Sequence, residues 1–397
     1  MSRRAYASAI GALISTLCGA AAPEPLAAII NEQTGAAAWV TTYFATNWTE
    51  GAAAVMVSDS VPFTQEVLAK LNAATTPAAL RAMTSGITIP CVNGGSYVVR
   101  MSRGLPRVLG IEWNNCQIFR WNPYQVLTGP GQVTLFGDSF TPAHVAAISL
   151  GSASRDLSMP SHSEFPDQIS DTVLTRNVRM IGVIPVSTAY VPEGSATSIY
   201  QVSGVRHEVR EISFPGSSRL PEHHESHSQL KNGVIVETTS WANDFFYYDD
   251  EWRYVAGEFT QTTVDPYTGT QTIRWSVDNL RIRRITDYAN WTGNFTYDGG
   301  FKWTWAPQSP TGCLSGRFAL RTRASFTIPN LDANIQDSGE LAINGAATYR
   351  AYSAATAPPG LPIPTGTLLS MDVRNAGTFN YDLGQFPDPA RIASNCQ

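Results

Sequence analysis

The sequence predicts an all-β protein: large, curved antiparallel meander sheets built from hairpins, preceded by a small, Ala-rich, partly helical region. Three observations carry that expectation. The first is composition, because 397 residues include 31 Gly, 25 Pro, 10 Trp, 15 Tyr and 16 Phe but only 15% charged residues, which suits many strands joined by turns and is opposite to the disordered signature. The second is texture: from Ile89 onward, short alternating apolar runs are punctuated by turn residues. The third is an internal echo, in which Gly293-Asn294-Phe295-Thr296-Tyr297-Asp298-Gly299-Gly300 and Gly377-Thr378-Phe379-Asn380-Tyr381-Asp382-Leu383-Gly384 share Gly, Phe, Tyr, Asp and Gly at matching offsets. Gly-x-Phe returns at Gly257–Phe259 and Gly316–Phe318, with weaker forms at Gly131–Val133 and Gly339–Leu341. Each copy reads as a turn glycine followed by an inward apolar anchor two residues on. The irregular spacing indicates a meander and not a fixed-period solenoid.

Taken in chain order, Met1 to Arg4 form a positive n-region, Ala5 to Leu17 an apolar stretch, and Ala20-Ala21-Ala22 a small-residue cleavage site before Pro23. Residues 1–22 are therefore expected to be a signal peptide, delivering the chain to the periplasm, the cell envelope or the outside. The apolar stretch is short for a membrane span. Cys18 offers lipidation as an alternative and the one route to membrane association, although Leu17 stands where a lipobox wants a small residue.

Residues 23–88 are Ala-rich, with helix-compatible stretches at Thr64–Leu71 and Pro77–Met83, the latter opened by Thr76 as an N-cap. Residues 89–397 form the β region. Tyr97–Met101, Val108–Trp113, Cys116–Trp121 and Gln132–Phe136 read as strands, residues 151–171 as a loop, and a second β run starts near Thr172. The β region is thus expected to divide into halves at 89–165 and 172–397. Between Thr270 and Ile285 the apolar parity switches near Asp278-Asn279, which predicts a bulge or turn there.

With Cys18 removed, Cys91, Cys116, Cys313 and Cys396 remain. An even count in an oxidising compartment reads as disulfides. Three connectivities are open, and the sequence-local pairing of Cys91 with Cys116 and Cys313 with Cys396 is the expected one. The formal charge of -5 becomes -7 once Arg3 and Arg4 leave, and no basic stripe appears. Nucleic acid is thereby excluded as a partner class, since phosphate binding needs clustered cations.

Cys91-Val92-Asn93-Gly94-Gly95-Ser96, then Asn114-Asn115-Cys116, and later Gly339-Glu340-Leu341-Ala342-Ile343-Asn344-Gly345-Ala346 resemble the β-rich secreted proteins and lipoproteins of proteobacteria, which carry C-x-x-G-G-S, N-N-C and G-x-L-x-I-x-G-A segments. The resemblance implies export, a β fold and the first disulfide. It carries no activity and no catalytic residue.

Two constellations hold chemistry-bearing side chains. Glu222-His223-His224-Glu225-Ser226-His227 gathers three histidines; on a helix His223 and His227 would share a face and hold Zn2+ or Cu2+ with Glu222, His224 or Glu225 nearby. An exposed loop is the plainer expectation. Trp241-Ala242-Asn243-Asp244-Phe245-Phe246-Tyr247-Tyr248-Asp249-Asp250-Glu251-Trp252 offers Trp241, Phe246, Tyr248 and Trp252 as a ligand-stacking surface beside carboxylates, or as an ordinary hairpin turning at Asp249-Asp250. There is no G-x-S-x-G elbow, and Gly137-Asp138-Ser139 lacks the later D-x-x-H that a GDS-type esterase needs. No phosphate-cradling or cofactor motif is present either. These features point to an exported, non-enzymatic protein that takes a lipid, a glycan or an envelope protein on a curved sheet. A metal-dependent hydrolase centred on Glu222 to His227 and an outer-membrane β-barrel are the alternatives, the latter weakened by the missing terminal aromatic strand.

Overall fold

The computed structural model describes residues 29–57, 84–91, 93–102, 107–117, 126–135, 145–150, 153–157, 168–182, 193–213, 222–244, 246–265, 269–306, 315–332 and 335–384. Among the described residues, the long helix α1 (Glu32–Val57) precedes seventeen strands that join a single antiparallel sheet. The first seven are β1 (Ile87–Pro90), β2 (Ser96–Met101), β3 (Arg107–Cys116), β4 (Val126–Leu135), β5 (Val145–Leu150), β6 (Ala153–Leu157) and β7 (Gln168–Gly182). The next six are β8 (Gly194–Ser213), β9 (Glu222–Ala242), β10 (Tyr247–Asp265), β11 (Gly269–Asp287), β12 (Thr292–Ala306) and β13 (Gly316–Ile328). The last four are β14 (Ser338–Ile343), β15 (Ala347–Tyr352), β16 (Leu368–Val373) and β17 (Gly377–Asp382). Neighbours in sequence are neighbours in space, except that β5 and β6 lie end to end between β4 and β7. This meander is what short, turn-rich links between strands produce.

The turns carry the chemistry that hairpins require. Asn344 and Gly345 adopt left-handed φ of 51° and 59°, and Ala346 N donates to Ile343 O across 3.0 Å. Asn243 and Asp244, with φ of 53° and 57°, turn β9 into β10. The hairpin expected at Asp249-Asp250 therefore turns six residues earlier, where Asn and Asp tolerate the left-handed region and Asp249 and Asp250 do not need to. The phase switch in β11 is a β-bulge: Asn279 has φ 52° and the register against β12 slips between Asp278 and Arg281. Gly299 faces that bulge with φ 97°, and a Cβ there would stand 2.0 Å from Asn279 O, so only glycine fits.

Some expectations shift. Residues 151–171 are not a continuous loop, because Ala153–Leu157 forms β6, and β7 begins at Gln168. The polar run Ala-Ser-Arg-Asp-Leu has no strand propensity of its own; pairing with β4 on one side and β7 on the other imposes the conformation. Cys116 ends β3 and does not begin a new strand. Thr64–Leu71, Pro77–Met83, residues 118–121, the leader with Cys18, and Cys313 with Cys396 lie outside the described residues.

Helix α1 lies against one face of the sheet. Asn31 caps it, its Oδ1 accepting Thr34 N at 2.9 Å, while Thr34 Oγ1 accepts Asn31 N at 3.1 Å, a reciprocal box with Thr in the usual Glu position. Along its 26 residues only Glu32 and Glu50 are charged, so it has no polar face. A helix apolar all round belongs in a core. Gly35 through Ala38 and Val40 through Thr42 are all buried, covering the whole circumference, more than a flat sheet touching one stripe would cover. The helix crosses the strands as it advances. Glu32 Oε1 accepts from Tyr381 Oη of β17 and Gly35 O from Tyr349 Oη of β15, while Trp39 stacks on Tyr349 at 5.2 Å. Further on, Trp48 meets Trp303 and Trp275 at 5.7 and 6.0 Å, and Trp275 Nε1 donates to buried Thr49 Oγ1 at 2.9 Å.

The sheet has a dry face and a wet one. Toward the helix β11 sends Ile273, Trp275, Val277, Leu280 and Ile282, all buried, and Phe259, Phe301, Phe318 and Phe326 extend the same layer. Away from it stand Arg274, Asp278, Arg281 and Arg283, with Arg283 holding Asp249 through two bonds of 2.8 and 2.6 Å and Arg323 and Arg350 sharing Glu340. A lipid-facing barrel needs an apolar outer band; the outward face of β11 is charged. The ends of the meander, β1 and β17, share no register pairing among the described residues.

Candidate functional site

The registers of β8 through β13 set out the concave face near the β9–β10 and β11–β12 turns as rows. Gly194, Trp241, Tyr248, Thr286 and Gly293 form the outermost row. Next come Thr239, Asp250, Arg284, Phe295 and Phe326, and then Ser198, Glu237, Trp252, Ile282 and Tyr297. Tyr200, Ile235, Tyr254 and Leu280 close the set. Because side chains alternate, every residue in these rows shares the face on which α1 lies.

Two parts meet there. On the β11–β14 side, α1 and the sheet enclose a cavity of about 420 Å3, bordered by Trp39, Phe295, Tyr297, Ile328, Leu331 and Leu341, with the polar groups Thr42, Thr46, Asn47, Asn294 and Gln336. Its size is that of a small-molecule site, and its lining mixes aromatic and aliphatic side chains with nearly as much polar surface, Arg284, Tyr43 and Thr286 included. Thr42, 3% exposed, has a buried Oγ1 with no hydrogen-bond partner, and buried Gln336 Oε1 has none either. Across the helix a second cavity of about 320 Å3 is bordered by Trp48, His207, Val209, Phe259 and Trp275. Burial there holds the His207 imidazole below its ordinary pKa, so it is neutral at pH 7.

On the β8–β10 side lies a half-buried shelf of rings and carboxyls. Trp252 stacks between Tyr200 and Tyr254 at 6.4 and 6.3 Å, and Tyr200 Oη donates to Glu237 Oε2 at 2.7 Å. Arg284 joins the shelf to the cavity: it lines the cavity, pairs with Asp250 across the sheet, and donates to Glu50 Oε2 of α1 at 2.6 Å. Desolvation raises the pKa values of Glu50, Glu237 and Asp250; Arg284 opposes the shift at Glu50, and the Tyr200 hydroxyl opposes it at Glu237. Burial pushes the Tyr297 phenol up to about 12. Burial thus biases these acids toward their protonated forms beside the aromatic rings. Asp249 and Asp250 do not form an acid–base pair, because they point to opposite faces, the first to Arg283 and the second inward.

Three of the four aromatics singled out in the sequence come together on this face: Trp241 pairs with Tyr248, and Trp252 lies two rows on. Phe246 does not; it sits in the β9–β10 turn, 54% exposed. The cluster Glu222 to His227 is neither helix nor loop but the start of β9. Strand alternation puts His223, Glu225 and His227 on one face, where Glu225 takes His223 Nε2 at 3.2 Å and His227 Nε2 at 3.1 Å, and His224 on the other. The i, i+4 geometry that would let His223 and His227 share a metal is absent in an extended strand, and among the described residues no group of three or more His, Cys, Asp or Glu side chains is arranged to hold a metal ion. The disulfide of Cys91 with Cys116 is present, with Cα atoms 5.5 Å apart, closing the β2–β3 hairpin.

Glu50, Arg284, Glu237, Thr42 and Gln336 were not singled out from the sequence. Arg284 and Glu50 lie 234 residues apart, and no local pattern joins them. No known protein family, curated protein or solved structure matches this chain. The class that fold and site define is an antiparallel meander sheet crossed on one face by a buried helix, with aromatic-lined hollows between the two.

Proposed function

We propose that this is an exported, non-enzymatic protein of the cell envelope that holds a small, mainly apolar molecule between α1 and strands β11 to β14. The observation that carries the reading is the cavity of about 420 Å3 framed by Trp39, Phe295, Tyr297 and Leu341. Burying apolar surface in such a site is worth about 25 cal/mol per Å2 before the costs of association are met. Organic extraction of protein recovered from the envelope, followed by mass spectrometry, tests it: a lipid-like or aromatic molecule near one equivalent is expected. An empty extract, together with no enhancement of N-phenyl-1-naphthylamine fluorescence by the purified chain, counts against it.

A carbohydrate reading is favoured by one observation, the row arrangement of Trp241, Tyr248 and Trp252 with Glu237 and Asp250. Its ligand would lie on the shelf and not in the cavity. Trp252→Ala would then abolish binding of cell-wall oligosaccharides while leaving naphthylamine binding intact.

A further inference from the structure

We infer that two adjacent turns at one end of the sheet, β9–β10 and β11–β12, dock the protein on a bilayer whose headgroups carry no net charge, through the exposed rings of Phe246, Tyr288 and Trp291. The turns are tied to each other, because Tyr288 N donates to Phe246 O across 2.7 Å. Their rings face solvent: Phe246 is 54% exposed, Tyr288 44% and Trp291 42%. They also continue the aromatic face outward, since Tyr288 meets Tyr248 edge-on at 6.1 Å and Trp291 at 5.7 Å. Asp287 holds the β11–β12 turn in shape, its carboxylate accepting from Ala289 N at 2.9 Å, Asn290 N at 3.0 Å and Asn290 Nδ2 at 2.7 Å.

Trp291 singles this turn out. It has φ 57°, and every other non-glycine residue with left-handed φ among the described ones is Asn or Asp. A bulky side chain is strained there, so the turn loses stability in setting an indole at the surface. Tyrosine and tryptophan, each with an apolar body and a polar tip, partition to the boundary between water and hydrocarbon. Charge selects the kind of bilayer. Residues 243–244, 246–248, 287–293 and 328–332, which make this end of β9 to β13, include Asp244, Asp287 and Asp332 and no Lys or Arg, so an anionic surface repels the tip. The purpose of the docking rests on the apolar-ligand reading, because the tip adjoins that cavity. Thr286, Gly293 and Leu331 border the cavity, and Leu331 N donates to Trp291 O at 3.1 Å. Tyr43 borders it too and is 44% exposed. A lipid-like molecule then has a short passage between bilayer and cavity, by a contact that does not need Cys18.

Co-flotation of the full chain with vesicles tests the docking. Vesicles of phosphatidylcholine and phosphatidylethanolamine should carry the protein upward at low and high salt alike, and adding phosphatidylglycerol should weaken the association. Trp291→Asn combined with Phe246→Ser should lower partitioning about tenfold, as expected for two partly exposed rings. Asn takes left-handed φ readily, so Trp291→Asn keeps the turn; Phe246→Ser, in the other turn, reads the loss independently. Flotation that is absent, that requires phosphatidylglycerol and vanishes in salt, or that is unchanged in the double variant overturns the inference. So does binding of cell-wall oligosaccharides that depends on Trp291 without flotation, which would make the tip a sugar site. Naphthylamine fluorescence, read without vesicles, should be the same in the double variant as in the native chain. Its absence from both counts against the cavity reading and leaves the docking standing.

Discussion

Glu237 and Asp250, on the concave shelf, and Glu50, on the helix, all have pKa values raised by desolvation. Their folded forms hold protons more tightly than the unfolded chain does, so their contribution to stability is present at low pH and is lost as pH rises through the raised values. Glu225, Glu340 and Asp382, held low by hydrogen bonds and neighbouring cations, act oppositely, and their contribution fades only below the ordinary carboxylate range. Stability should therefore increase on acidification from pH 7 toward about 5, and Glu237→Gln should flatten that slope. Urea unfolding midpoints across this window measure it; a midpoint that falls steadily with acidification in the native chain contradicts the assignment. At this scale the sequence was legible where neighbours in the chain decide the outcome. Asp249 and Asp250, read from the sequence as a turn, lie inside β10 and face apart as neighbours on a strand do. Arg284 could not be read as a partner of Glu50, because the fold alone brings them together.

At the scale of elements, the predicted bulge at Asp278-Asn279 is present because a break in apolar parity has few other physical solutions. The helix α1 was missed within a region expected to be partly helical. Its two charges and scattered Thr residues leave no amphipathic stripe, and that lack of a stripe is the signature of full burial. Gly35 marks how closely it seats: a Cβ there would meet Met371 Sδ at 2.5 Å and Val373 Cγ2 at 3.0 Å. Gly35→Leu should lift the helix end from β15 and β16, outweighing a helix-propensity gain of about 1 kcal/mol. Limited proteolysis near residue 35 and a change in Trp39 emission would report it, and unchanged protease resistance would contradict the packing. The β2–β3 hairpin depends on its staple, whose loop spans 25 residues. Cys116→Ser should cost about 3 kcal/mol on the loop-entropy account, read as a lowered denaturation midpoint that reductant no longer shifts.

Across the whole molecule, the all-β class and the meander order were legible because Gly and Asn turns fall between alternating runs, and short links leave antiparallel pairing as the simple solution. The strand lengths were not. β8 through β11 run 19 to 21 residues, roughly 60 to 70 Å when extended, whereas α1 is about 39 Å long. Because α1 crosses the strands and does not run along them, it covers only part of their length, and the shelf of Trp252, Glu237 and Asp250 lies half-buried on the same face.

The ligand site proposed for this chain requires α1 to be enclosed by the sheet. Hydrogen–deuterium exchange across residues 35–49 tests that enclosure directly. The amides should exchange as slowly as those of β11 through β13 and become labile only with global unfolding. Exchange within seconds, while the strands stay protected, would place the helix outside the core and remove both cavities with it.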